Sequence, residues 1–200
     1  MKTIFWCADC QNDFFKNGKF IIASEEIRPN IKKITNYAKN NNIKVVSTGD
    51  YHTMISKEIS KFPDLKNTFP EHCMAGNDGM EFIPETEPED GTIIVDYTES
   101  DFPIEAINKS RNIILYKDHK NIFDDDAGNP WALNTIALLN PDTVIVYGIN
   151  IDSVVVGLID ELCTVIIIKD AISGEEQYKK WRDAGAKLID TKTLLEAGVK

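Results

Sequence analysis

The sequence predicts an α/β domain: a three-layer, doubly wound, mostly parallel sheet of six strands with helices on both faces. Three observations predict it. Six short apolar runs recur along the 200 residues. Stretches with helical periodicity or helix-start signals separate most of them, the pattern of βαβ units with right-handed crossovers. Several runs end abruptly in polar residues, as strands do at the ligand-binding edge of such a sheet.

Taken in order, Thr3 to Ala8 is apolar almost throughout and reads as a central strand buried on both faces. It empties into the polar cluster Asp9-Cys10-Gln11-Asn12-Asp13-Phe14. Pro29 suits the first position of a helix, whose apolar face is Ile31, Ile34 and Ala38, and Asn40-Asn41-Asn42 stops it. Residues 43–48 form the second strand. Residues 49–91 have no strong period and are rich in Pro, Gly and acidic side chains; a loop that long is functional or holds short helices. The third strand is 91–95, a short helix covers 103–109, and the fourth strand, 112–116, delivers Lys117. A helix runs from Pro130 to Leu139. The fifth strand, 143–147, ends in Gly148-Ile149-Asn150-Ile151-Asp152, and a short apolar helix follows over 153–162. The sixth strand is 164–168, residues 174–184 are helical, and 191–196 make a last turn or two. Repeats, linkers and boundaries are missing, so residues 1–200 read as one domain.

Composition narrows the function. With 42% apolar and 27% charged residues the chain is an ordinary globular one. A net charge of −10 argues against nucleic acid as partner. No apolar run approaches the length of a membrane span and the start lacks signal-peptide character, so a cytoplasmic protein without membrane partners is expected. Cys7, Cys10, Cys73 and Cys163 do not form a disulfide framework. Cys7 and Cys10 make a CxxC, but with no second pair they read as buried or near-site thiols. GxGxxG, P-loop and GxSxG signatures are all missing.

Chemistry concentrates between Asp50 and His72. Two of the three histidines, His52 and His72, lie here, and Asp50 and His52 leave a strand end on the same side because alternate residues share a face. Two imidazoles and a carboxylate suit a divalent Zn, Fe or Mn ion with open positions. The other reading is that Asp50 caps a turn and the histidines sit at the surface. His119 lies in a charged loop and takes no role. Asp124-Asp125-Asp126 reads as a solvated loop before a second cation site, and Trp131 as packing at a helix start before a lid over the pocket mouth.

These segments, in this order, resemble the isochorismatase-like superfamily, and within it the nicotinamidase-related cysteine hydrolases. Asp9 to Phe14 resembles the opening DxQxDF, Asp50-Tyr51-His52 the DxH, and Phe69-Pro70-Glu71-His72-Cys73 the WPxHC. Lys117 with Phe123, the 146–152 loop ending at Asp152, Asp170-Ala171 and Ala184-Gly185-Ala186 continue the set. The resemblance implies a metal held by Asp50, His52 and His72. It also implies Asp9 as general base and acid, and Lys117 as the cation that keeps Asp9 ionised. Phe14 and Phe69 fall where the family lines its ring pocket, though core packing accounts for them equally. The backbone N–H groups of Asn150 and Val154 would face an oxyanion.

One member of the family's triad is missing. The nucleophilic Cys falls at Val154, which cannot form a thioester. Ser153 is one residue off, about 100° around a helix. Cys163 lies at the helix's far end, and Cys10 and Cys73 each adjoin site residues. Two functions follow. One is a hydrolase of a small amide, or of a related C–N- or ether-linked metabolite, nicotinamide-like or isochorismate-like. The isochorismatase-type relatives protonate a vinyl ether without that Cys, although they generally lack the metal site. The other is a non-catalytic relative that binds a small ligand or supports an assembly. The family's habit of associating through helices implies a homo-oligomer.

Overall fold

The computed structural model describes residues 2–198 apart from 125, 127, 162, 175 and 176. The described residues form a parallel sheet of seven strands in the order β3-β4-β2-β1-β5-β6-β7. The strands are β1 (Thr3–Ala8), β2 (Val45–Asp50), β3 (Ile93–Val95), β4 (Asn112–Lys117), β5 (Thr143–Gly148), β6 (Thr164–Ile172) and β7 (Lys187–Ile189). Between and after them run α1 (Arg28–Asn40), α2 (Ile104–Lys109), α3 (Ala132–Leu139), α4 (Asp152–Asp160), α5 (Tyr178–Asp183) and α6 (Thr191–Ala197). The three-layer, doubly wound reading holds, with one strand more than expected. The addition is β7, an edge strand of three residues beside β6, too short to show an alternation.

Side-chain alternation along β1 builds both cores. Ile4, Trp6 and Ala8 point into one, with Ile107 of α2, Ile136 of α3, Leu158 of α4 and Trp181 of α5. Phe5 and Cys7 point into the other, with Ile31, Ile34 and Ala38 of α1 and Leu194 of α6. A central strand covered on both faces has no polar alternation, which is why its sequence is a continuous apolar run.

Register places the chemistry. Asp50 of β2 lies opposite Lys117 of β4, and Ala8 of β1 lies between Thr48 of β2 and Gly148 of β5. The strand carrying Asp50 is Val45–Asp50 instead of 43–48, so Asp50 closes it. Gly148 must be glycine: its φ is +111°, and a Cβ there would sit 2.1 Å from the Ala8 carbonyl oxygen. The C-terminal ends of β1, β2, β4 and β5 thus meet where the strand order switches direction around β1, the usual ligand crevice of an open parallel sheet. The helix expected over 174–184 is described as Tyr178–Asp183; residues 175 and 176, like Asp125 of the acidic run, lie outside the described residues.

Candidate active site and metal centre

Three buried ligand atoms converge at this edge. Asp50, His52 and His72 each offer one within 4.8 Å of the others, and they form the metal-ligand cluster found among the described residues. His72 Nε2 lies 3.5 Å and His52 Nε2 3.9 Å from Asp50 Oδ2. The far side of each imidazole fixes its tautomer. His52 Nδ1 is 2.8 Å from Asp118 Oδ1, and His72 Nδ1 is 2.7 Å from the Pro70 carbonyl, which can only accept. Each Nδ1 therefore donates and each Nε2 turns a lone pair inward, the arrangement by which ligating histidines are oriented. His52 Nε2 is buried with no hydrogen-bond partner among the described residues. A buried acceptor left open beside two other ligand atoms fits a divalent ion.

The backbone is bent to make this edge. Asp9, Cys73 and Asn150 all have positive φ, +48°, +44° and +51°, a region that costs most side chains free energy and that clusters at functional sites. Two motif residues hold the bends. The Gln11 amide donates to the carbonyls of Asp50 and Met80 (2.7 and 2.8 Å) and accepts from the Asp50 N–H (2.7 Å). Asp13 accepts the Cys73 N–H at 2.8 Å, next to His72.

Behind the ligands lies a charge triad. Lys117 Nζ bonds Asp50 Oδ1 and sits 3.1 Å from Asp9 Oδ2, and all three side chains are buried. Burial alone would lower the Lys117 pKa, but Asp50 and Asp9 raise it well above the ordinary value. Burial would raise that of Asp50; the Lys117 charge outweighs it and holds Asp50 well below the carboxylate range. Asp9 has only Lys117 and the Thr48 hydroxyl, 2.7 Å away, so burial dominates and pushes it up to about 6.

The open face is a cleft of about 1070 Å³. Asp50, His72, Glu58, Phe20, Phe69, Asn150 and Ser153 are among the residues that line it. Phe20, Phe69 and His72 are mutually packed, with centroids 5.1–6.2 Å apart.

Three of the expected site residues sit differently from a simple motif reading. Phe69 lines the cleft, whereas Phe14 lies behind it, packed on His72 and Phe20, because the short turn Asn12–Phe14 faces the core. Asn150 lines the cleft. Val154, 2% exposed, belongs to the core under α4, and the neighbouring Ser153 faces the cleft instead. A helix turns about 100° per residue, and the step from 153 to 154 carries the side chain from the cleft to the core. Asp9 touches Lys117 as expected but is not among the residues that line the cleft. None of the four cysteines lines it either.

Glu58, Asp118 and Phe20 carry no motif signal. Glu58 is 3% exposed on the cleft wall and accepts the Lys120 N–H at 2.8 Å. Its other oxygen faces His119 Nε2 at 3.3 Å. Burial raises the Glu58 pKa against the pull of His119.

A family model for the isochorismatase domain matches residues 3–103, the half of the chain that carries Asp9, Asp50, His52 and His72. A search of curated proteins finds no match. Among solved structures, the chain resembles N-carbamoylsarcosine amidase from Thermoplasma acidophilum (17% identity, 97% of this chain and 99% of that one, TM-score 0.70). It also resembles a nicotinamidase/pyrazinamidase from Bacillus subtilis (18%, 95% and 100%, 0.69). A third is the pyrazinamidase of Pyrococcus horikoshii, solved in complex with zinc (15%, 95% and 99%, 0.70). At these identities the structures speak for the fold; together with the family model, which spans half of the sequence, they identify the chain as a member of the isochorismatase family.

Proposed function

We propose that this protein is a metal-binding hydrolase that takes a small amide, or a related C–N- or ether-linked metabolite, into the cleft and works without a thiol. The observation that carries the reading is the buried, unpartnered Nε2 of His52 beside Asp50 and His72. Asp50, His52 and His72 would hold a divalent zinc, iron or manganese ion, and a protein of similar fold solved in complex with zinc is in keeping with a metal. When bound, the ion would supply Lewis-acid polarisation where Asp50 and His72 line the cleft.

The chain's own residues set the stage for it. Lys117 keeps Asp50 ionised and so keeps its second oxygen available. Asp118 and Pro70 hold both imidazoles in the ligating tautomer. The rings of Phe20 and Phe69 suit a flat, nicotinamide-like or isochorismate-like substrate. At the start of α4 the first N–H groups, including that of Val154, have no intrahelical partner, and with the Asn150 N–H they are the oxyanion donors of this reading whatever side chain stands at 154. Glu58 holds a proton at the cleft wall more readily than an exposed carboxyl would.

The second reading, ligand binding without turnover, is favoured by Val154 lying in the core and Asp9 lying off the cleft wall. A turnover screen on nicotinamide and isochorismate separates the two. The first reading expects hydrolysis that chelation abolishes and iodoacetamide leaves intact. Saturable nicotinamide binding without product supports the second. Turnover that iodoacetamide abolishes would overturn both, because it requires a thiol in the cleft.

A further inference from the structure

The segment between His52 and Phe69 displays an apolar surface that the fold does not use. Met54, Ile55, Phe62 and Leu65 are 79, 90, 85 and 65% exposed, and they are the four most exposed large hydrophobic residues among those described. All four fall within twelve residues of one another. Side chains of this size carry roughly 150–200 Å² each, so together they bare on the order of 600 Å². That sum is most of the ~800 Å² per partner that a standard interface covers.

The backbone that presents them is pinned, so they do not reflect a frayed loop. Ser56 and Glu58 are buried beneath the segment, where the Ser56 hydroxyl bonds Asp118. Phe69 N–H donates to Glu58 O at 2.6 Å, and Ser60 N–H to Phe69 O at 2.9 Å. Asp64 Oδ1 accepts the N–H groups of Lys66, Asn67 and Thr68 at 2.7–2.9 Å. Inward residues hold the scaffold and outward ones face solvent.

Charge identifies the partner. Lys57, Lys61 and Lys66 against Glu58 and Asp64 give residues 53–67 a net charge of +1. The whole chain carries −10, so the rest carries −11. A basic, apolar tongue on an otherwise acidic body complements the body of another copy. An anionic membrane would repel that body.

We propose that Met54–Leu65 is an interface between copies of this chain, the tongue of one protomer docking on the acidic body of the next. Closed symmetric homo-oligomers are the commonest outcome of such self-complementarity. The proposal does not depend on the hydrolase reading. It adds one consequence: the same segment supplies Glu58 to the cleft and starts two residues after His52, so assembly would brace the wall of the site.

The test is sedimentation equilibrium of the full chain. The parent should sediment as two or more chains. An Ile55→Glu/Phe62→Glu variant should be monomeric with unchanged circular dichroism and melting temperature, since both side chains are solvent-exposed. Lys57→Glu/Lys61→Glu/Lys66→Glu should weaken the assembly separately, and added salt should weaken the parent's. A parent that stays monomeric at every concentration would overturn the proposal, as would variants that assemble as the parent does. A monomeric parent that co-sediments with phosphatidylserine vesicles would overturn it in favour of a membrane surface.

Discussion

Replacing Lys117 by methionine keeps the length and apolar stem of the side chain and removes only its charge. In the parent that charge lies 3.1 Å from Asp9 and bonds Asp50, with all three groups buried. The variant leaves two buried carboxyl groups facing each other without a cation. Removing one partner of a buried ion pair costs about 3–5 kcal/mol. At about 2–4 °C per kcal/mol for a chain of this size, the melting temperature should fall by roughly 6–20 °C. The sign of the pH dependence follows from the carboxyl groups. Asp50 is held well below its ordinary pKa by Lys117, and that stabilisation is present above the unfolded value and lost as pH falls through the folded one. The gap between parent and Lys117→Met should therefore be wide at neutral pH and narrow only on acidification below about pH 4, as Asp50 takes up its proton. The assay is thermal unfolding by circular dichroism across that range in chelator. A fall that is small at neutral pH, or one that grows on acidification, would refute the buried triad.

Other outcomes follow from the same geometry. Asp9→Asn should gain on the parent as pH rises from about 4 to 6, by up to about 3 kcal/mol. The reason is that Asp9 is raised to about 6 in the folded state, so its contribution is full below the unfolded pKa and lost as pH passes the folded one. Denaturant titrations of the two chelated proteins check it. Asp118→Asn should weaken metal binding about 10–100-fold by loosening the His52 tautomer, read by competition with a chromophoric chelator. Ser153→Cys should react quickly with Ellman's reagent in the native state and Val154→Cys only on unfolding, because 153 faces the cleft and 154 the core.

Much of this was legible in the residues, and the exceptions have physical causes. Strands such as Thr3–Ala8 are buried on both faces and so stand out as unbroken apolar runs, whereas Lys187–Ile189 is three residues at an edge and leaves no pattern. Asp50, His52 and His72 were visible because histidine is scarce here and a strand end brings alternate residues to one side. Glu58 and Phe20 were not, since they reach the cleft through long loops whose course depends on tertiary hydrogen bonds, not on period, and Asp118, one residue past β4, meets His52 only through the fold. The facing of Ser153 and Val154 turned on the exact start of α4, and helix boundaries are the least certain part of any sequence reading. His119, which carried no motif, meets Glu58 only through the fold.

The central claim is that Asp50, His52 and His72 hold one divalent ion. Calorimetric titration of zinc into the chelator-stripped protein, alongside His52→Ala, tests it most directly. The account predicts a single saturable site in the parent that raises the melting temperature, and its loss in the variant. Equal zinc binding by parent and His52→Ala, or no binding by a folded parent, would contradict it.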